Sequence, residues 1–253
     1  MTITLNRPEA FQRRPHGVLF DTDNTLYPYE TAHLAGMQAV RSKTEKLFGL
    51  EASRFDAAFN SSRKAIKDRL KATASSHSRL LYFQQMLESI GLGSQVLLAL
   101  DLEQTYWRTF LSKACLFDGV KEFFDDLRIA NIPIAIVTDL TAQIQFRKIV
   151  YFGLDHYVDH IVTSEEAGFD KPHPAPFELA RDKMKVRGSY IWMIGDNAIT
   201  DIEGARNAIQ AVTVQKLHAG VKPGIGHGLA DATITDFESL RAFFASLPGS
   251  AKK

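Results

Sequence analysis

After Gly119 the chain repeats one arrangement, a short apolar run followed by a helical segment and then another apolar run. The runs are IPIAIVTD (Ile132–Asp139), HIVTS (His160–Ser164), YIWMIGD (Tyr190–Asp196), AVTVQ (Ala211–Gln215) and ATIT (Ala232–Thr235). The intervening segments include TAQIQFRKIVYFG, APFELARDKMKV and TDIEGARNAI. Strands that stay apolar along their whole length are buried on both faces, and helical crossovers supply the covering layers. The pattern therefore restricts the chain to the α/β class, with a Rossmann-like doubly wound parallel sheet. Gly17–Phe20, within GVLFDTDNTLYPYE, adds a first strand from the other end of the chain, so the sheet is assembled from two separated stretches.

What separates them reads differently. From Thr31 to about Lys113 there is no proline, and apolar residues recur near 3.6-residue spacing in HLAGMQAVRSKTEKLFGL, ASRFDAAFNSSRKAIKDRLKA, SRLLYFQQMLESIGL and QVLLALDLEQTYWRTFLSK. These are expected to form four helices, with Gly49, Gly91 and Gly93 at their ends. The helical stretch is thus an insertion after the first strand. The N-terminal arm, the glycine-rich HAGVKPGIGHG and the polar PGSAKK tail read as loose segments.

The totals exclude several classes of function. With 253 residues, 45% of them apolar, the chain can bury a substantial core. Thirty basic against 29 acidic residues leave a net charge of +1, which offers no global attraction for nucleic acid or an anionic membrane. The single cysteine, Cys115, precludes an intramolecular disulfide and any thiol-rich metal site, and is expected to be a small buried residue. No segment supplies a signal-peptide core or the ~20 apolar residues of a membrane span, so a cytoplasmic protein is expected. His77, His173, His218 and His227 show no metal-ligand spacing, and Trp107 and Trp192 read as core. Arg63, Lys64, Lys67, Arg69 and Lys71 read mainly as a solvated helix face, a minority of them within reach of an anionic substrate.

Carboxylates gather where the strands end. Asp21 and Asp23 follow VLF, Asp139 follows IVT, and Asp196 follows IWMIG. In an open parallel sheet ligands bind beyond the carboxyl ends of the strands, so these acids are expected to share one crevice. Like charges crowded into a low-dielectric site repel unless something positive lies among them. Oxygen donors with few nitrogen or sulfur neighbours suit Mg²⁺, which also leaves room for water and a substrate phosphate. Thr138 would place a hydroxyl, and Lys171 an ammonium, at the same crevice. Such a set is expected to transfer a phosphoryl group through an aspartyl-phosphate, without an activated serine or cysteine.

DTDNT (Asp21–Thr25), VTD (Val137–Asp139), DKPHP (Asp170–Pro174) and GDNAITD (Gly195–Asp201) occur in the order found in the haloacid dehalogenase superfamily, and the chain resembles its members over nearly the full length. The resemblance is to subfamily I phosphatases, with an α-helical cap after the first motif. It implies a catalytic core of residues 1–28 and 115–253 and a cap of 29–114 that closes over the site. Asp21 then corresponds to the nucleophile and Asp23 to the general acid and base. Mg²⁺ would be held by the Asp21 side chain, the Asp23 carbonyl and Asp196. Thr138, Asp139 and Lys171 would line the phosphate site, with Lys171 and Thr138 on the phosphate oxygens, and Lys171 would also neutralise Asp21. Asp201, with Asn197, would stand behind these ligands and orient Lys171 or a metal-bound water. Asp139 departs from the Asn of many relatives; it is expected to turn away, bind a lysine or meet a substrate hydroxyl. Dehalogenases of the superfamily lack an acid at the position of Asp23, because a halide leaves without a proton and an alkoxide does not. The implied substrate is a small phosphorylated metabolite, such as a sugar phosphate, a phosphoglycolate-like acid or a nucleotide. A phosphomutase using the same intermediate and a non-catalytic binding protein on this fold are the alternatives.

Overall fold

The structure, a computed structural model, describes residues 3–186 and 190–249. The chain divides into two compact units, Met1–Tyr27 with Cys115–Lys253, and Pro28–Ala114.

The helical unit contains α1 (Tyr29–Phe48), α2 (Ala52–Leu70), α3 (Arg79–Ser89) and α4 (Val96–Lys113), with a 3₁₀ turn at Ala74–His77. Helix α1 stops at Gly49, whose φ of 66° is a left-handed value that glycine adopts without a Cβ clash. Helix α3 starts where the Ser78 side chain accepts the Leu81 amide. Phe55, Phe59, Tyr82, Phe83, Tyr106, Trp107 and Phe110 are buried in the unit's own aromatic core. Their rings meet edge-on, stacked or tilted, as in Phe59 on Phe83 at 5.5 Å and Trp107 on Phe110 at 5.3 Å.

The strands of the α/β unit are β1 (Ile3–Leu5), β2 (Gly17–Phe20), β3 (Ile134–Thr138), β4 (His160–Thr163), β5 (Ile191–Gly195), β6 (Val212–Lys216) and β7 (Ala232–Ile234). They form one seven-stranded sheet in the order β1-β7-β6-β5-β2-β3-β4. Strands β2 to β7 pair in parallel, and β1 pairs antiparallel with β7 through Ile3–Ile234, Thr4–Thr233 and Leu5–Ala232. The N-terminal arm is therefore an edge strand and not a loose segment. Three residues are too few for an alternating pattern to register in sequence, and their partner lies at the other end of the chain.

The helices of this unit are α5 (Val120–Ile129), α6 (Ala142–Tyr151), α7 (Ser164–Ala167), α8 (Pro174–Met184), α9 (Gly204–Ile209) and α10 (Phe237–Ser246). Leu19, Ala135, Val137 and Met193 of the sheet share a buried cluster with Phe177 and Ala180 of α8 and Ala205 and Ile209 of α9. On the opposite face Phe20 meets Phe124 of α5 at 4.8 Å, and Trp192 meets Phe11 at 5.3 Å. All four residues of β2 are buried, which accounts for its unbroken apolar run. Cys115, expected inside, is exposed: it lies outside the helices, as the first residue after the helical unit along the chain. The tail from residue 250 onward lies outside the described residues. Among the described residues no helix is long and apolar enough to cross a membrane.

The connection order places the site. From β2 the sheet grows outward through β3 and β4, then resumes on the other side of β2 with β5, β6 and β7. At this reversal the loops leaving β2, β3 and β5 part in different directions and open a crevice beyond the carboxyl ends. Asp21, Asp139 and Asp196 directly follow those three strands.

Candidate active site

The segment after β2 is tightly wound. The Leu26 amide donates to the Thr22 carbonyl at 2.9 Å and the Asn24 amide to the Tyr27 carbonyl at 2.8 Å. Asn24 has a φ of 63°, a left-handed value that Asn tolerates better than most side chains. Asp21 and Asp23 consequently meet different partners although only one residue separates them.

Asp21 is buried. Its Oδ1 accepts a bond from Lys171 Nζ at 2.7 Å, and its Oδ2 accepts one from the Thr25 hydroxyl at 3.2 Å. Lys171, from the loop before α8, is 5% exposed and donates to Asp21 Oδ1 at 2.7 Å, Asp201 Oδ1 at 2.7 Å and the Val137 carbonyl at 2.9 Å. All three ammonium protons are thus used. Burial opposes the charge on Lys171, yet Asp201, Asp21 and Asp139 outweigh it and hold the pKa well above that of a free lysine. Removing one partner from a buried pair of this kind costs about 3–5 kcal/mol.

Asp201 reaches this position because of a glycine. A Cβ on Gly195 would lie 2.5 Å from the Asp201 Cβ and from its Oδ2, so no side chain fits there. Asp201 Oδ2 accepts the Asn197 amide at 3.0 Å, while the Asn197 side chain caps the following turn by accepting the amides of Ile199 and Thr200. That turn, Ala198–Glu203, is π-helical and precedes α9, where the sequence suggests one uninterrupted helix. Asn197 thus shapes the segment that carries Asp201.

One oxygen each from Asp21, Asp196 and Asp201 lie within 4.8 Å of one another, a cluster able to hold a metal ion. Three carboxylates there face one ammonium, so a divalent cation would balance the remaining charge. Burial drives the Asp21 pKa well up; Lys171 opposes this, and Asp201, Asp196 and Asp23 add to it. Asp196 is pushed up to about 7, first by burial and then by Asp201. Such proton affinity marks buried carboxyl groups crowded by one another, whose negative charge a cation would relieve, and an all-oxygen donor set fits a hard one. The side-chain cluster includes Asp201 and not Asp23, whose expected contribution as a ligand was its carbonyl.

The Asp23 carboxylate turns elsewhere. Its Oδ1 accepts Lys148 Nζ at 2.7 Å, the Tyr27 hydroxyl, and the Thr22 hydroxyl at 3.2 Å. Lys148 is 1% exposed and comes from α6, 125 residues away. Sequence reasoning missed it. The available signal was polar residues on an apolar stripe: Gln145 and Lys148 fall on the same buried face as Ile144 and Ile149. Gln145 Nε2 donates to the Thr138 hydroxyl at 2.8 Å and to the Asp139 carbonyl at 2.7 Å. With its acceptor side so occupied, the Thr138 hydroxyl has a proton to give; the Thr22 oxygen lies 2.9 Å away.

The Asp139 carboxylate is engaged by the backbone of the Lys171 loop. Its Oδ1 accepts the backbone amide of Lys171 at 2.9 Å, and burial raises its pKa while Lys171 works against the rise. The carboxylate thus meets a lysine, through the backbone amide and not the ammonium, and braces the loop that delivers Lys171.

A family model described as haloacid dehalogenase-like hydrolase matches residues 15–208. The chain belongs to that family. The ribulose-1,5-bisphosphate 5-phosphatase of Halopiger xanaduensis is 37% identical over 198 residues, 78% of this chain and 82% of the relative. The glyceraldehyde 3-phosphate phosphatase of Methanopyrus kandleri is 30% identical over 192 residues, 76% and 79% of the two chains. Among solved structures, the 2-haloacid dehalogenase of Pseudomonas syringae superposes with a TM-score of 0.69 at 23% identity, covering 90% of this chain and 97% of that one. This last likeness establishes the shared Rossmann-like fold of the haloacid dehalogenase family.

Proposed function

We propose that this member of the haloacid dehalogenase family is a Mg²⁺-dependent phosphatase that hydrolyses a small sugar phosphate through a phosphoryl group carried on Asp21. The observation that carries the proposal is the division of labour between two neighbouring acids. Asp21 lies in the cation-binding cluster with Lys171 on one oxygen, whereas Asp23 is held apart by Lys148 and Tyr27. Mg²⁺ held by Asp21, Asp196 and the Asp23 carbonyl would neutralise phosphoryl oxygens and polarise the phosphorus.

The chain's own groups do the remainder. On substrate binding Lys171 exchanges its bond to Asp21 Oδ1, and the Thr138 hydroxyl its contact with Thr22, for bonds to non-bridging phosphate oxygens, which orients the group against Asp21. An Asp21 oxygen forms the new O–P bond while the bond to the sugar oxygen breaks. Asp23 gives that oxygen its proton, so the leaving group departs as an alcohol. Asp23, now a carboxylate, takes a proton from water as the water attacks the phosphoryl-aspartate, and Asp21 is regenerated as phosphate departs. Asp201 keeps Lys171 aimed through the 2.7 Å bond. The requirement for a proton donor favours phosphate esters over haloacids. The choice of a sugar phosphate rests on the ribulose bisphosphate and glyceraldehyde phosphate phosphatases among the relatives. The inserted unit Pro28–Ala114 acts as the cap.

The test is a panel of phosphorylated metabolites assayed for inorganic phosphate with Mg²⁺ and with a chelator. Release of phosphate from sugar phosphates, dependent on Mg²⁺, is expected; isomerisation without release identifies a mutase instead. Asp21→Asn keeps the side-chain shape and removes the nucleophile. It is expected to abolish turnover with an unchanged melting curve, and turnover at the parental rate would exclude Asp21 as phosphoryl acceptor.

A further inference from the structure

The helical unit contains a cavity of about 440 Å³, lined wholly by its own residues. Three of those residues are arginines: Arg41 from α1, Arg63 from α2 and Arg79 from α3. Arg41 is matched by Asp56, with Nε 2.7 Å from the carboxylate. Arg79 has no carboxylate partner among the described residues. It donates to the His77 carbonyl at 2.8 Å and to the Tyr29 hydroxyl, and its Nε is buried without a partner. Its guanidinium lies over the rings of Tyr106 and Trp107, each at 5.5 Å.

The groups that hold this buried cation are neutral: a carbonyl, tyrosine hydroxyls and aromatic faces. Arg79 is the first residue of α3, where the helix dipole is positive and a basic side chain adds to it. A buried polar atom without a partner carries a desolvation cost. The Arg63 guanidinium lines the same cavity from the facing helix, and Asn60, one turn earlier on α2, adds an amide. Glu30 is the only carboxylate on the lining besides the matched Asp56, and it is exposed. His33 also lines the cavity, and its pKa is lowered to about 4 by burial and then by Arg79, Arg63 and Arg41. Beyond the effect of burial, the three arginines give the cavity a positive field.

We propose that this cavity is an anion-binding site of the helical unit, in which Arg63 and Arg79 hold a phosphate-type group distinct from the one hydrolysed at Asp21. The group is carried by the substrate, as the second phosphate of a sugar bisphosphate, or by a separate phosphorylated ligand. The substrate-borne form rests on the phosphatase reading; the binding site itself does not. A guanidinium forms charge-assisted, two-pronged bonds to phosphate oxygens that a lysine cannot reproduce.

The test uses the full-length Asp21→Asn chain, in which turnover is removed, and isothermal titration calorimetry. The probes are ribulose 1,5-bisphosphate, glycerol 3-phosphate, and inorganic phosphate added over saturating glycerol 3-phosphate. For a substrate-borne group, adding Arg63→Gln or Arg79→Lys weakens the bisphosphate about tenfold to a hundredfold and leaves glycerol 3-phosphate within about twofold. For a separate ligand, inorganic phosphate binds once per chain over the monoester and is lost in both variants. Affinities that are the same in all three proteins, with no phosphate binding over the monoester, overturn the site. Arg63 is exposed, so its substitution reads binding even where a change at Arg79 perturbs folding. If the parental chain hydrolyses no monoester, the phosphatase reading falls while the binding comparison still decides the cavity.

Discussion

Loading a divalent cation into the Asp21, Asp196 and Asp201 cluster must release protons, and the structure indicates over which pH range. Asp196 has its pKa pushed from an ordinary 3.8 to about 7 by burial and by Asp201. At pH 6 a group with that pKa is charged in roughly one chain in ten. A cation needs the carboxylate, so its apparent dissociation constant falls about tenfold for each pH unit gained below about pH 7 and levels off above. Raised proton affinity at Asp21 lets the number of protons released exceed one. The sign for the metal-free fold is opposite. A carboxyl whose folded pKa exceeds its unfolded value binds a proton in the native state that the unfolded chain gives up. Stability is therefore lost as pH rises from about 4 to about 7, by at most about 4 kcal/mol at 1.36 kcal/mol per unit. Partial exposure of Asp196 to water reduces this figure. Calorimetric Mg²⁺ titrations in two buffers of different ionisation enthalpy, from pH 5 to 8, count the protons, and melting curves in a chelator follow the stability. Affinity that is flat across this range with no proton release would refute the electrostatic account of the cluster. Asp196→Asn is expected to abolish both the binding and its pH dependence.

Lys148→Met removes the cation that holds Asp23 and is expected to lower kcat about a hundredfold or more on alkyl phosphates, and much less on p-nitrophenyl phosphate, whose leaving group needs no proton. Equal losses on both would reject a positioning role for Lys148. Gly195→Ala brings a methyl group to 2.5 Å from Asp201; it should cost about 1–3 kcal/mol in a melting experiment and reduce kcat through displacement of Lys171, and a fully active, equally stable variant would show that Asp201 is not fixed there. Lys171→Met leaves the carboxylate cluster without its ammonium and should raise Mg²⁺ affinity at neutral pH while abolishing phosphate release, a split that a purely structural lysine would not produce.

The parts of this protein that are legible in sequence are those encoded by neighbouring residues. Gly17–Phe20 forms β2 with the limits its apolar run suggests, four further strands fall within the runs that predict them and β6 runs one residue past its own, to Lys216, because burial on both faces leaves a continuous local signature. Four helices occupy the insertion for the same reason, with Gly49 ending the first. The strand-end acids and Lys171 are legible because topology requires the carboxyl ends of parallel strands to share one edge. Pairings chosen over long distances leave no such trace. That the Asp23 carboxylate turns to Lys148, that Asp201 completes the cluster, that Asp139 braces the Lys171 loop and that Ile3–Leu5 closes the edge beside β7 were decided by packing. Each of these depends on which side chain could satisfy a buried charge or an open backbone edge once the layers had come together, and that is a property of the assembled interior.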